Sequence, residues 1–455
     1  MKKKEVIYLY LLVLHAFLGF ILYLFPFISK VYGVAILVFG VYFITQSKNK
    51  HNEALLMAAY AVSAEIMLRM TGGAFVNEYG KYLVMLFLFL GMLFSGFSRS
   101  ALIYSLFLFF LVPGVVLSTL YMDSATDVKK AIVFNISGPV CLGISAIYCF
   151  KRELTFERLL TIITSFSLPL LCLVSYLYLY TPNTQDVVTG TQSNFETSGG
   201  FGPNQVSTIL GLGIFIFFVQ LLLNSSGGVL QIINGGLVLF FAFRGLVTFS
   251  RGGVYTGVIM VILLLVILYF QANFKTKPKI AGIVLLSFLA TFSIWSYSSI
   301  KTNGLLEKRY ANQDAAGREK QSQLSGRESL MESELNMFYK HPIFGVGVGK
   351  NKEIRKTETG IDAATHNEFT RMLAEHGTFG ILGLLILLLT PVYFFIVNRY
   401  NVLAIPFFIF WLMTINHAAM RLAAPAFIYS LSLLHINLGE LPKKRTSEET
   451  GLATN

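Results

Sequence analysis

Three residues in this chain could carry out group transfer at a phosphate-rich site: a histidine, His366, and two arginines, Arg251 and Arg327. His366 stands in Thr365-His366-Asn367-Glu368, where Thr365 reads as a helix N-cap and Glu368, three residues on, completes a capping box. Gly377 supplies the stop, so the spacing predicts a short helix over 367–376 with His366 in its first turn. Backbone N–H groups and the positive end of the helix dipole favour a neutral imidazole there and attract anions. A neutral imidazole at an anion-binding corner can act as general base. Arg251 lies in Ser250-Arg251-Gly252-Gly253, where two glycines would let backbone approach a ligand and the guanidinium offers a planar fork to phosphate oxygens. Arg327 lies in a second capping box, Ser325-Gly326-Arg327-Glu328, in a first turn that disfavours a cation. The bland reading of each is a polar loop residue, a snorkelling cation or a solvated charge.

The elements that must position them belong to a membrane protein. The 455 residues are 55% hydrophobic and 13% charged, against roughly 25% charged in soluble domains. Fourteen apolar stretches are candidates for spanning helices, near 6–28, 31–46, 54–70, 82–98, 101–120, 131–150, 159–181, 203–223, 228–249, 253–271, 280–298, 378–397, 402–417 and 422–438. The second is short, which makes twelve to fourteen the expectation. The fold class is therefore all-α and polytopic. Residues 1–298 form an N-terminal helix bundle, 299–377 one long polar loop carrying short helices, 378–440 C-terminal spans and 441–455 a tail.

With the N-terminus cytoplasmic, sixteen basic residues fall in the inside segments and eight in the short outside ones. The positive-inside bias then puts both termini in the cytoplasm and the long loop outside. The net charge of +12 is attributed to this topology and to anionic lipid, not to nucleic acid. Cys141, Cys149 and Cys172 lie in apolar spans and suggest no metal site, and no metal or cofactor motif is present.

That orientation leaves Arg69, Arg244, Arg251 and Arg421 at outer span ends, against the topological preference, where arginine marks a pathway or ligand site. Arg69 could instead pair with Glu65, four residues earlier on the same helix. His417 and Arg421 form an i,i+4 pair that could join the same outside site. Arg244, Arg421, Arg69, Asn367 and His417 are thus secondary candidates for binding. Residues 181–202 read as a flexible entrance loop, with Pro203 opening the next helix. Within the long loop, Leu330, Met331, Leu335 and Phe338 predict the packed face of a helix. The Gly345-Val346-Gly347-Val348-Gly349 run has no strand–helix unit around it and predicts a turn dipping toward the membrane.

Ser250-Arg251-Gly252-Gly253, Ser325-Gly326-Arg327-Glu328, Pro342-Ile343-Phe344-Gly345-Val346-Gly347, His366-Asn367-Glu368-Phe369 and Glu375-His376-Gly377-Thr378-Phe379-Gly380, in that order, resemble the O-antigen ligase and O-antigen polymerase superfamily of bacterial membrane glycosyltransferases. The likeness covers roughly 200–390; the first half matches mainly as a set of spans. The resemblance implies a GT-C-like helical bundle in the bacterial inner membrane, with the loop periplasmic. It implies metal-independent transfer of a glycan from an undecaprenyl-diphosphate carrier to an acceptor hydroxyl. Ligases use the lipid A core of lipopolysaccharide as acceptor, polymerases another carrier-linked repeat, and a related group protein serine or threonine. Ligation is the preferred expectation. In that scheme Arg251 and Arg327 clamp the diphosphate and His366 is the base. A lipid-linked glycan flippase is the alternative from another class; the single 79-residue loop argues against it, since flippases usually have two related halves and short loops.

Overall fold

A computed structural model describes residues 3–123, 126–320, 327–360 and 362–437; of Arg327 it describes the backbone alone. The elements in chain order are α1 (Lys3–Leu24), α2 (Ile28–Ser47), α3 (Glu53–Met70), α4 (Tyr79–Ser95), α5 (Leu102–Tyr121), α6 (Val128–Cys149), β1 (Glu153–Thr155), α7 (Phe156–Tyr180), α8 (Pro203–Val219), α9 (Gly228–Val247), α10 (Arg251–Gln271), α11 (Lys277–Lys301), α12 (Leu305–Tyr310), α13 (Arg327–Lys340), α14 (Lys350–Thr359), α15 (Glu368–Val397), α16 (Ala404–Thr414), α17 (Ala423–Leu431) and β2 (His435–Asn437). The protein is an all-α polytopic membrane protein.

A helix stands at each of the fourteen expected places, and ten of the described helices are long and apolar enough to cross a membrane. The other four differ for physical reasons. α3 carries Glu53, Glu65 and Arg69. α4 has 17 residues. α16 has 11 and α17 has 9, and at 1.5 Å per residue neither covers the roughly 30 Å hydrocarbon thickness alone. Burial ranks the bundle: α8, with its π-helical extension to Asn224, is buried over 83% of its apolar stretch, while α11 is buried over 6% and lies at the rim.

The connections sort to two ends. At one end, Asn49 bonds Ser95 and the Tyr148 hydroxyl, Arg152 bonds Asn52 and Gly96, and the Glu5 carboxylate accepts from Ser226 and Gly227. β1 and β2 pair in parallel at that end, Leu154 opposite Ile436, which ties the segment after α17 to the α6–α7 connection. The 181–202 and 248–250 connections and the long loop gather at the opposite end.

The long loop follows α11, which ends at Lys301, and its described residues before α15 fold in three short helices. Ser325 and Gly326, and with them the expected second capping box, lie outside the described residues. The buried face of α13 is Leu330, Ser333, Glu334 and Met337. Met331, Leu335 and Phe338, expected on that face, are only half-buried. The register turns because Glu334 goes inside, and it can do so because it is fully partnered there.

α15 holds both the short helix and the following span. Gly377 interrupts it with φ 58° and ψ −133°, so the stop falls where the sequence placed it. The kink strands the carbonyls of Ala374 and Glu375, and the glycine-rich turn 341–349 satisfies them. Val346 N–H donates to Ala374 O (2.8 Å) and Gly347 N–H to Glu375 O (3.2 Å). Thr378 N–H in turn donates to Pro342 O (2.7 Å). A Cβ on Gly377 would lie 2.6 Å from the Pro342 and Ile343 carbonyl oxygens, so only glycine fits both the left-handed φ and the approach.

Candidate active site

The start of α15 differs from its expected form by two residues. Asn367, not Thr365, is the N-cap: its side-chain oxygen accepts from Phe369 N–H (2.8 Å) and Thr370 N–H (3.2 Å). His366 therefore precedes the helix and does not occupy its first turn. Thr365 is turned inward, and its hydroxyl donates to Glu334 Oε2 (3.1 Å). Glu368 does not close a capping box; its carboxylate pairs with Arg371. Both Thr365 and Asn367 can cap a helix, and the buried acceptor on α13 decides between them.

A network of buried charge holds this segment. Glu334 Oε1 accepts from Asn351 Nδ2 (3.1 Å) and Arg355 Nη1 (3.4 Å), and Oε2 from the hydroxyls of Thr365 and Thr370 (2.6 Å). Arg371 lies between Glu368 and Glu375 (2.7 Å), and Glu375 Oε1 accepts from Gly349 N–H (2.8 Å). α13, α14, the glycine turn and α15 are thereby fixed together, with His366 on the strap that crosses them. Burial pushes the Glu334 carboxyl above its usual range, against its hydrogen bonds from Thr370 and Thr365 and the attraction of Arg355.

The strap meets the membrane bundle at the α16–α17 turn. Glu368 N–H donates to Ile415 O (2.9 Å), Asn367 Nδ2 to Asn416 Oδ1 (3.3 Å), and Arg421 Nη2 to Thr365 O (2.7 Å). Arg421 also lies 5.7 Å over the Phe134 ring. His417 and Arg421 do not share a helical face, because α16 ends at Thr414 and Ala419 has φ 50°. His417 instead turns to α8, its Nε2 being 3.1 Å from Thr208 Oγ1. Arg69 pairs with Glu65 (2.7 Å), as its spacing allowed, and donates to Gln205 Oε1 (3.1 Å) and Arg421 O (3.1 Å). Glu65 Oε2 accepts from Ala423 N–H (2.8 Å). The pair thus grips the backbone on both sides of Leu422, which sets the direction in which Arg421 leaves the chain.

Arg251 opens α10 beside this turn. The two glycines after it are required by close packing. A Cβ on Gly252 would lie 2.6 Å from the His417 ring, and one on Gly253 2.0 Å from Ser207 O. Arg251 is half-buried and donates to Arg309 O (3.5 Å); among the described residues no acid forms an ion pair with it. Arg309 Nε donates to Phe249 O (2.9 Å), the carbonyl of a left-handed residue in the α9–α10 reversal. Lys320 Nζ donates to Thr191 Oγ1 (2.8 Å). Burial and then the positive charges of Arg309 and Arg251 hold the Lys320 ammonium below its usual range. Arg251, Arg309 and Lys320 therefore form one cationic corner.

The structure thus brings His366, Asn367, His417, Arg421, Arg69 and Arg251 to one end of the bundle. Arg244 stands apart: it is 1% exposed and donates to the carbonyls of Thr181 (3.1 Å) and Thr197 (3.0 Å), pinning the 181–202 connection. The Arg327 side chain lies outside the described residues; its backbone opens α13. Arg309, Lys320 and Glu334 were not singled out from sequence. Glu334 had a signal, since it falls at helical spacing between Leu330 and Met337 on an otherwise apolar face. Arg309 and Lys320 had none, because nothing local relates them to Arg251, 58 and 69 positions earlier.

Residues 235–385, about a third of the chain, match the family model described as O-antigen ligase. The matched stretch contains Arg244, Arg251, Arg309, Arg327, Glu334 and His366. No curated protein and no solved structure matches the chain.

Proposed function

From the match of residues 235–385 to the O-antigen ligase family model, we propose that the chain is a member of the O-antigen ligase and polymerase superfamily and transfers a glycan from undecaprenyl diphosphate to an acceptor hydroxyl, the lipid A core being the acceptor. The reading is supported above all by the cationic corner at Arg251 set beside the strap that carries His366. A lipid diphosphate is already a stable anion, so its departure needs charge stabilisation more than protonation. A guanidinium group such as that of Arg251, which donates to a carbonyl oxygen and has no ion pair with an acid among the described residues, can supply it. Arg251 is the clamp, Arg327 a second, and Arg421 a further cation held by Arg69. Arg244 acts through the 181–202 connection it pins.

The acceptor hydroxyl is a poor nucleophile, and His366 takes its proton as the oxygen attacks the anomeric carbon. The bond from that carbon to the diphosphate oxygen breaks, and its electron pair leaves with the diphosphate. One displacement inverts the anomeric centre. Asn367 and His417 orient the strap and the start of α10. In this scheme the protein is a multi-pass inner-membrane enzyme with both termini cytoplasmic and the 299–377 loop periplasmic.

The test is the surface glycan profile of a strain lacking the gene, on a gel resolving lipopolysaccharide and carrier-linked glycan. Long polymers stranded on the carrier with bare cores are expected. Cores capped by a single repeat would make the protein a polymerase. An unchanged profile would overturn both and turn attention to a protein acceptor, and single repeats held in the cytoplasm would indicate a flippase.

A further inference from the structure

A cavity of about 460 Å³, lined mostly by polar residues, lies between the 189–196 part of the α7–α8 connection and the 314–320 hairpin of the long loop. It adjoins the cationic corner. Asn194 N–H donates to Thr248 O (2.9 Å), and Ser193 Oγ lies 3.5 Å from Phe249 O, whose carbonyl also holds Arg309. Lys320 lines the cavity and closes its corner on Thr191. The hairpin is itself braced: Gln313 bridges Glu319, and Asp314 pairs with Arg318 (2.8 Å).

The lining is rich in hydroxyl, amide and carboxylate groups, with one exposed aromatic ring, Phe195. Gln192 and Glu196 are exposed beside it. Vicinal hydroxyls of a sugar both donate and accept, which matches carboxylate and amide partners, and the C–H face of a pyranose packs on an aromatic ring as other apolar surfaces do. The size is in the range of small-ligand pockets, about 300–1,000 Å³. A lipid chain would need a continuous apolar groove, which this lining does not provide.

We propose that this cavity is a carbohydrate subsite, taking the one or two sugars nearest the diphosphate on the donor, with Gln192, Phe195 and Glu196 as its contacts. The inference rests on the lipid-diphosphate reading and adds where the glycan lies. With the diphosphate on Arg251 and Arg309, the first sugar has only to cross Lys320 to enter.

The test compares two probes on the full-length protein in nanodiscs: undecaprenyl diphosphate without sugar, and the lipid-linked glycan extracted from a strain lacking the gene. Wild type should bind the glycan-bearing probe about tenfold more tightly, the order of one or two added hydrogen bonds. The variant Gln192→Ala/Phe195→Ala/Glu196→Gln should bind both probes alike and keep wild-type affinity for the bare carrier. A wild type without that preference, or a variant that retains it, overturns the subsite. If the triple variant loses the bare carrier as well, Phe195→Ala alone decides by the same comparison. Arg251→Ala is the separate control: unchanged binding of the bare carrier would overturn the lipid-diphosphate reading, whatever the cavity variants do.

Discussion

Two clusters of charge lie in the same loop-covered end of the molecule and are built on opposite rules. Beneath α13 and α15, three carboxylates (Glu334, Glu368, Glu375) face two guanidinium groups (Arg355, Arg371), all nearly inaccessible. At the start of α10, Arg251, Arg309 and Lys320 gather three cations; Arg251 donates to the Arg309 carbonyl, Arg309 to the Phe249 carbonyl and Lys320 to the Thr191 hydroxyl. Buried charge persists when it is paired and hydrogen-bonded, and breaking such a pair is costly. Like charges gathered at a half-buried surface repel, and an arriving anion relieves that repulsion. The first cluster holds the fold together; the second is the proposed anion site. His366 sits on the strap between them, which gives the comparison its use: substitutions in the second cluster should cost activity, and those in the first should cost the fold.

The largest effect belongs to the strap. His366→Ala should lower glycan transfer by about 10²–10⁴-fold, the usual contribution of a general base, while the thermal midpoint in detergent stays at the wild-type value. Arg251→Ala should follow, at about 10²–10³-fold for a lost charge-stabilising donor. Arg251→Lys should recover only part, since an ammonium keeps the charge but not the fork. Wild-type turnover in either alanine variant would remove that residue from the site.

The buried cluster answers to stability. Glu334→Ala leaves Arg355 without its carboxylate and Asn351, Thr365 and Thr370 without their acceptor. The cost should be about 3–5 kcal/mol, read as a lowered unfolding midpoint. The pH dependence has a definite sign. Burial raises the folded pKa of Glu334 above its unfolded value, so the folded state holds that proton more tightly. The stability it contributes is present below the unfolded pKa and is lost as pH rises through the folded one. Glu334→Gln, which keeps the shape and cannot ionise, should match wild type at acid pH and gain on it as pH rises. A gap that moves the other way would mean that the arginines outweigh burial.

These two clusters also mark where the sequence stops informing. Helix positions were legible because apolar length and glycine punctuation are local: a helix stands at all fourteen expected places, and Gly377 breaks α15 where expected. The grouping of His366, Arg69, Arg251 and Arg421 at one end was legible from span order. The N-cap was not, because Thr365 and Asn367 are equally competent until Glu334 claims the Thr365 hydroxyl. Nor was the use of Gly252, since a glycine beside an arginine reads the same whether a ligand or the His417 ring approaches it. Arg309 and Lys320 were hidden among the charges of a polar loop, and only the α9–α10 reversal brings them to Arg251.

Gly377→Ala tests the joint between the clusters. It would force a Cβ into the left-handed region and against two carbonyl oxygens at 2.6 Å. Strain and overpacking together should cost on the order of 3 kcal/mol. Because the Val346 and Gly347 N–H groups of the glycine turn donate to the stranded α15 carbonyls, the loss should appear first as faster exchange of those two amides. Exchange unchanged at those amides would mean that the turn stands without the kink.

The smallest effect should come from cations that lie in the same loop but in neither cluster. Lys352 and Lys356 on α14 pair with Asp362 at 2.8 and 3.3 Å, and all three side chains are about half exposed or more. Exposed pairs of this kind contribute little to stability. Lys352→Ala/Lys356→Ala removes two positive charges from the loop, twice the change made by Arg251→Ala, and should leave both the unfolding midpoint and transfer activity near wild type. That contrast separates placement from total charge. If the double variant lost activity comparably to Arg251→Ala, the loop would be acting through its summed field, and the loss should then fade as ionic strength rises, since exposed charges are screened within about 8 Å at physiological salt. A loss confined to Arg251 and insensitive to salt would instead fit a guanidinium in direct contact with the substrate's diphosphate.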